Sequence, residues 1–286
     1  MEAPELVELL TGRRLAVLTG AGISTDSGIP DYRGPDSPPS NPMTIRQFIS
    51  DPTYRQRYWA RNHLGWRHMA NTLPNAGHRA LAALQHAGIV TGLITQNVDL
   101  LHTKAGSRAV VNLHGTYAQV VCLGCGFTMS RAALAGQLEA ANPGFTERAA
   151  AVGGLAVAPD ADAVVEDTAS FQYIDCPACG GMLKPDIVYF GENVPKERVA
   201  RAYSLIDDAD ALLVAGSSLT VYSGYRFVRH AAALGIAIAI INRGPTRGDD
   251  LATVKIETGC SPMLALLADE LPAHTISGVL GGAERT

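Results

Sequence analysis

Two Cys-x-x-Cys pairs, Cys122/Cys125 and Cys176/Cys179, constrain this chain more than any other feature of its sequence. In each pair a tight turn lets both thiolates reach one metal ion. Gly126 and Gly180 follow the pairs, and a residue free to take positive φ there lets backbone N–H groups point at sulfur. Together the four thiolates form a tetrahedral zinc site with no open position, which gives the metal a structural role. A redox dithiol and two disulfides are the competing uses. The N-terminal stretch carries Glu2, Glu5 and Glu8 and no apolar signal core, so a cytoplasmic protein is expected, where disulfides are disfavoured. Residues 126–175 separate the pairs, far more chain than a compact finger holds, so the metal is expected to close a small lobe. Cys260 stands alone.

Outside that lobe, short apolar runs break into glycine or polar clusters. They cover Leu15–Leu18, Ile89–Thr95, Ala109–Leu113, Ala211–Ala215 and Ile236–Ile241, with helical patterns at Ala76–His86, Pro195–Asp208 and Gly224–Leu234. Continuous apolar strands alternating with helices predict an α/β fold, a parallel sheet covered by helices on both faces. Ligands of such sheets bind beyond the carboxyl ends of the strands, where the polar clusters begin. The expected division is a large α/β domain from 1–30, 75–117 and 185–286, a loop and helical insertion at 31–74, and the zinc-binding lobe at 118–184. Within that lobe the Ala/Gly-rich stretch 141–170 reads as a flexible, solvated loop. A 47% hydrophobic content excludes wholesale disorder, and a net charge of −4 excludes a global electrostatic draw toward nucleic acid. The longest apolar run, Ala231–Ile241, falls short of the roughly 20 residues of a membrane span.

Five strand ends carry chemistry. Gly20-Ala21-Gly22-Ile23-Ser24 reads as a glycine turn leading to a helix N-terminus that presents N–H groups to phosphate; the bland alternative is a tight connection. Thr25 stands where a dinucleotide fingerprint of the dehydrogenase kind has its third glycine. Asp31, Tyr32 and Arg33, between Gly28 and Gly34, suit a loop folding over a ligand. Gln96, Asn97 and Asp99 offer amides and a carboxylate for ribose hydroxyls and a carboxamide, or helix caps. His114 ends the third strand, beside a glycine that permits close ligand approach. Gly216, Ser217 and Ser218 suit ribose or phosphate, and Asn242 a ribose hydroxyl. Cys260 offers backbone contacts to a base, or is an inert buried thiol.

This pattern resembles the sirtuins, NAD-dependent protein lysine deacylases. The matching stretches are GAGIS at 20–24, GIPDYRG at 28–34, TQNVDLLH at 95–102, HG at 114–115, both cysteine pairs, KPDIVYFGE at 184–192, GSSLTV at 216–221 and Asn242. The resemblance runs from about residue 10 to 268, with Tyr32 where the family usually has Phe. YWAR at 58–61, GSSLTVYSGYRF at 216–227, GPTRGDDLA at 244–252 and IETG at 256–259 resemble the bacterial and mitochondrial class II branch.

The resemblance implies a Rossmann-like NAD-binding domain, with NAD as co-substrate and one structural zinc. Gly20, Ala21, Gly22 and Ser24 with Gly216, Ser217 and Ser218 would hold the pyrophosphate and adenosine end. Asp31, Tyr32 and Arg33 would close over the nicotinamide ribose. Gln96, Asn97, Val98 and Asp99, with Asn242, Arg243, Gly244 and Cys260, would complete the NAD contacts. Asn97 and Asp99 would act in catalysis beside His114, the general base, for which an unperturbed pKa of roughly 6.5 is suitable. Acyl-lysine proteins or peptides would pair with Val188, Tyr189, Phe190 and Gly191. Tyr58 and Arg61, three apart on a helical pattern, would bind the carboxylate of an acidic acyl group or belong to a basic helical face. Mono-ADP-ribosyl transfer and lipoamide removal are the alternative dominant activities, and no nucleic acid, membrane or second copy is expected as partner.

Overall fold

A computed structural model describes residues 2–34, 37, 42–151 and 168–272. In chain order its strands are β1 (Leu15–Thr19), β2 (Val90–Thr95), β3 (Val110–Asn112), β4 (Gly115–Cys122), β5 (Thr128–Ser130), β6 (Leu183–Ile187), β7 (Ala211–Ala215), β8 (Ala237–Ile241) and β9 (Val254–Ile256). Its helices are α1 (Glu2–Leu10), α2 (Ile45–Ser50), α3 (Pro52–Asn71), α4 (Ala76–His86), α5 (Leu101–Lys104), α6 (Arg131–Ala141), α7 (Phe145–Ala151), α8 (Lys196–Asp207), α9 (Tyr222–Leu234) and α10 (Cys260–Glu270).

The large sheet has the order β3-β2-β1-β7-β8-β9, and all its pairings are parallel. Strand alternation sorts its side chains. Leu15 and Val17 enter the core under α1, α4 and α10, whereas Ala16 and Leu18 enter the core under α8 and α9. Leu213 and Ile241 face the first core, Leu212 and Ile240 the second. Both faces are therefore dry, and each such Leu or Ile contributes about 1.5–3 kcal/mol by leaving water. After β1 the chain builds outward through β2 and β3, then crosses to β7 and builds the other way. The β1/β7 boundary is thus the topological switch point, where strand ends leave a crevice.

A second sheet, β5-β4-β6, is antiparallel. It takes in residues 115–117 and 185–187, which the sequence pattern had assigned to the larger domain. Gly115 pairs with Ile187 at its base, and a Cβ on Gly115 would lie 2.0 Å from the Asp186 carbonyl oxygen. The lobe and the helical insertion share one core: Tyr58, Trp59 and Leu64 of α3 pack with Tyr117 and Val120 of β4 and with Leu134 and Leu138 of α6. Arg131 is wholly buried at this seam, its guanidinium 5.5 Å from the Trp59 ring centroid and 4.8 Å from that of Trp66. It donates to the Oδ1 and main-chain carbonyl of Asn62, and burial lowers its pKa to about 10, leaving it charged at neutral pH.

The sequence pattern missed α1, whose Leu6 and Leu10 are core residues, and the short edge strand β9. The flexible-loop expectation for 141–170 fails over Phe145–Ala151, which is helical. Phe145 packs its ring 4.8 Å from that of Phe171, and Asn142 ties the segment to Gln172 through two hydrogen bonds. Residues 152–167 of that stretch lie outside the described residues. Among the described residues no helix is long and apolar enough to cross a membrane.

Arg131→Ala should cost about 3 kcal/mol, because it removes two desolvated cation–π contacts and leaves a hole. Arg131→Met should cost much less, since it fills the slot and removes the buried charge. Urea unfolding of both variants, read as a difference in midpoint at unchanged slope, checks the ordering.

Candidate active site

A cavity of about 930 Å³ sits over the switch point, between the large sheet and the lobe. Its floor is built by two loops in van der Waals contact. A Cβ on Gly20 would lie 2.7 Å from the Gly216 carbonyl oxygen, and one on Gly216, at φ 68, would lie 2.3 Å from the Ile23 nitrogen. Any side chain here would push the β1 and β7 loops apart. The expected helix N-terminus after β1 is instead a pair of 3-10 turns, Ala21–Ile23 and Thr25–Ser27. Gly20, Gly22, Ile23 and Ser24 donate their N–H groups to the carbonyls of Ala215, Gly216, Gly20 and Ala21. The glycines at 20 and 22 thus serve the packing of the two loops against each other.

Polar side chains lock the neighbouring strand end to this floor. Asn97 Nδ2 donates to the Gly20 carbonyl at 3.0 Å and to Ser24 Oγ at 3.1 Å. Ser24 Oγ in turn donates to Asp99 Oδ2 at 2.7 Å, and the Leu101 N–H donates to Asp99 Oδ1 at 2.9 Å. Burial pushes the Asp99 carboxyl up, against the pull of those two donors. Gln96 Nε2 donates to Ser217 Oγ at 2.8 Å, bridging β2 to β7 across β1. Behind this layer His78 and His102 are buried and kept neutral by desolvation, and Thr19 Oγ1 lies 2.9 Å from His102 Nε2. Leu100 and Leu219 take left-handed φ values of 63 and 56, strain that clusters beside the site.

His114 lines the cavity. Its Nδ1 lies 2.9 Å from the Gln96 carbonyl, and a carbonyl only accepts, so the proton is on Nδ1 and Nε2 carries the lone pair. Ser223 Oγ lies 2.8 Å from that Nε2. Burial lowers the His114 pKa to about 4, with Arg198 adding to the fall, so the unperturbed value expected from sequence does not apply. The ring is neutral at physiological pH.

Asp31, Tyr32 and Arg33 line the cavity, as do Val98, Ser218, Asn242, Arg243 and Gly244. Asp31 accepts from the Gly34 N–H and from Ser37 Oγ, closing its own turn. Cys260 lines an adjoining recess of about 200 Å³ together with Gly22, Gly216, Asn242 and Arg243. Burial pushes its thiol up to about 12, so it is no nucleophile.

Val188, Tyr189, Phe190 and Gly191 form one wall. Several of their main-chain groups are already paired: Val188 N–H with the His114 carbonyl, both Tyr189 groups with Glu192, and the Phe190 carbonyl with Ile45 N–H. Lys184 Nζ holds Glu192 in place at 2.8 Å. Tyr58 and Arg61 are not brought to the cavity. The Tyr58 ring is buried among Phe48, Trp59 and Tyr189, each about 5.5 Å away between centroids.

In the lobe the four cysteine sulfurs lie within 4.8 Å of one another, and none is in a disulfide. The Sγ atoms of Cys122 and Cys179 are 3.5 Å apart and those of Cys125 and Cys176 3.8 Å. A tetrahedron of sulfurs about 2.3 Å from zinc has edges of about 3.8 Å, so the cluster fits the ion. Main-chain N–H groups of Cys125 and Gly124 pull the Cys122 thiol down to about 6.

Comparisons with known proteins agree with this geometry. The Sir2 family profile matches residues 20–223, well over half of the chain. The chain belongs to the Sir2 family. It is 77% identical to NAD-dependent protein deacetylase 1 of Mycobacterium avium (strain 104), over 96% of this chain and 98% of that one. It is 50% identical to NAD-dependent protein deacetylase 1 of Streptomyces coelicolor, over 93% and 89% of the two chains. A solved structure described as Sir2-p53 peptide-NAD+ superposes with a TM-score of 0.75 at 31% identity, covering 94% of this chain and 98% of that one.

Several residues around this Sir2 cavity escaped the reading of the sequence: Ile29, Met43, Asn193, Tyr222, Ser223 and Arg226 all line it. Ser223 and Arg226 sit one helical turn apart at the start of α9, in the stretch 216–227 whose resemblance to the class II branch assigned them no place in the site. Their other signal was position, since α9 follows the polar loop at the end of β7.

For this Sir2 chain, Gly216→Ala should cost about 2–4 kcal/mol, combining left-handed strain with backbone overlap. Chemical denaturation measures it, and Gly235→Ala, with φ 71 and open space around it, isolates the strain alone.

Proposed function

We infer that this protein is an NAD-dependent protein deacetylase that frees the side-chain amine of an acylated lysine in its substrate and releases nicotinamide and an acylated ADP-ribose. The observation that carries this reading is His114: a neutral histidine lining the switch-point cavity, with its Nε2 lone pair fixed by the Nδ1–H bond to Gln96. Family membership and the names of the relatives support it.

The residues present fit NAD. The cavity has the volume of a cofactor site, its floor lacks side chains at Gly20, Gly22 and Gly216, and polar groups converge from the ends of β1, β2, β3, β7 and β8. Gly20, Ala21, Gly22 and Ser24, with Gly216, Ser217 and Ser218, would hold the pyrophosphate and adenosine end. Gln96, Asn97, Val98, Asn242, Arg243 and Gly244 would hold ribose hydroxyls, and Cys260 would border the base through its backbone. Asp31, Tyr32 and Arg33 would close over the nicotinamide ribose. NAD supplies a glycosidic bond whose anomeric carbon becomes electrophilic as nicotinamide leaves.

The chain's residues supply position and a base. Asp99, buried and doubly hydrogen-bonded, presents a fixed group toward the carboxamide, and Asn97 has its amide nitrogen tied down. His114 Nε2 would accept the proton of a ribose hydroxyl and so make that oxygen nucleophilic toward the acyl group. The peptide lies along Val188, Tyr189, Phe190 and Gly191, pairing through main-chain groups other than the Val188 N–H, the Tyr189 N–H and carbonyl and the Phe190 carbonyl, which are engaged.

The finer reading places the chain in the class II branch, on the residues 58–61, 216–227, 244–252 and 256–259. One structural zinc held by Cys122, Cys125, Cys176 and Cys179 belongs to the same reading, as does a reducing, cytoplasmic setting that keeps those thiols free.

His114→Ala should fold normally and lose acyl-peptide turnover by about 10²–10⁴-fold, the usual weight of a general base. Mass spectrometry of an acetyl-lysine peptide with NAD reads this, and full turnover by the variant would overturn the assignment. His114 in the free enzyme should titrate near pH 4, below the roughly 6.5 of an exposed ring, so protonation removes the base only as the pH falls through about 4. NMR of histidine-labelled protein tests that midpoint. For zinc, purified protein should carry about one equivalent per chain, and strong chelation should lower the melting temperature before it lowers the initial rate.

A further inference from the structure

We propose that Ser223 is a positioning residue for His114: its hydroxyl donates to the Nε2 lone pair, keeps that nitrogen turned into the cavity, and yields its place to the ribose hydroxyl during turnover. The proposal rests on His114 as the general base.

Three observations on one small stretch carry it. The first is the direction of the bond. Because the Gln96 carbonyl takes the Nδ1 proton, the neutral ring has only an acceptor left at Nε2, so in the 2.8 Å contact Ser223 must be the donor. A second hydrogen bond on the opposite nitrogen fixes ring rotation, which the Gln96 bond alone does not.

The second is how close α9 comes. Gly224, next to Ser223, lies against the Gln96 side chain, and a Cβ there would fall 2.5 Å from Gln96 Oε1. The missing side chain lets the start of α9 press on the end of β2, which brings Ser223 within reach of His114. Gln96 is the common anchor, holding the ring with its carbonyl and lying beneath Gly224 with its side chain.

The third is that the hydroxyl has no structural duty at the helix end. Val221 occupies the N-cap and provides no side-chain cap, and Ser223 stands inside the first turn with its hydroxyl directed to His114. Both residues line the same cavity, so a bound hydroxyl can take over the Nε2 lone pair as Ser223 rotates away. The proton then passes from the ribose oxygen to Nε2, and the ring becomes imidazolium with Nδ1–H still on Gln96. The charged group that acts on the ring is Arg198 of α8, paired with Asp186 at 3.0 Å, while Asp99, Arg226 and Glu192, the last held by Lys184, line the same cavity.

The test compares Ser223→Ala, Ser223→Thr and Ser223→Val in the full-length, zinc-loaded protein with NAD and an acetyl-lysine peptide. Ser223→Ala should lower kcat for deacylation about tenfold, with the KM values for NAD and peptide within about twofold, the effect of losing one orienting hydrogen bond. Exchange of labelled nicotinamide into NAD, which needs no base at Nε2, should persist at the wild-type rate. Ser223→Thr should restore turnover and its isostere Ser223→Val should not. The proposal is overturned by wild-type kcat in Ser223→Ala, by equal performance of Thr and Val, or by exchange falling in step with deacylation, the mark of a damaged fold. His114→Ala run alongside separates the two levels. Its inactivity leaves those outcomes to judge Ser223 alone, whereas its full activity defeats the base and the positioning role together.

Discussion

The close approach of the loops after β1 and β7 governs this molecule. Gly20 and Gly22 lie on Gly216 with no room for a Cβ, so the two halves of the parallel sheet meet as backbone on backbone. The polar groups after β2 are referenced to that contact. Asn97 bonds to the Gly20 carbonyl, Gln96 reaches Ser217 across β1, and Ser24 fixes Asp99. Hydrogen bonds in a water-poor setting are stronger and less forgiving of displacement than at the surface, so a shift of one loop is felt along the whole set.

The parallel sheet was legible because its strands are buried on both faces and read as unbroken apolar runs, as Leu15–Leu18 and Ala211–Ala215 do. The edge strand β9 was not, since Val254-Lys255-Ile256 is short and interrupted by a lysine that faces Asp249. The cavity residues at strand ends were legible for a related reason: a polar group directly after a buried strand can only emerge at the carboxyl edge. Ser223 and Arg226 were hidden, because a helix start presents the same composition whether it faces solvent or a ligand.

Tyr58 marks a different limit. Helical spacing placed Tyr58 and Arg61 on adjacent turns, but spacing is silent about what lies opposite. The opposing elements turned out to be Phe48 and Tyr189, and aromatic packing claimed the ring. Arg131 shows the converse. A basic residue after a short strand reads as surface, yet two tryptophans from α3 make an interior slot that keeps its charge without a carboxylate.

The base of the cysteine-bearing lobe has a mechanical consequence. Strand β4 begins one residue after His114, at Gly115, which pairs with Ile187, and the next residue, Val188, donates its N–H to the His114 carbonyl. The lobe is therefore a lever whose fulcrum is the backbone of the histidine itself. A few degrees of tilt, applied some distance away at the sulfur cluster, would be delivered as a small rotation of the imidazole and of the substrate wall together, so the two surfaces that must meet during acyl transfer travel as one piece.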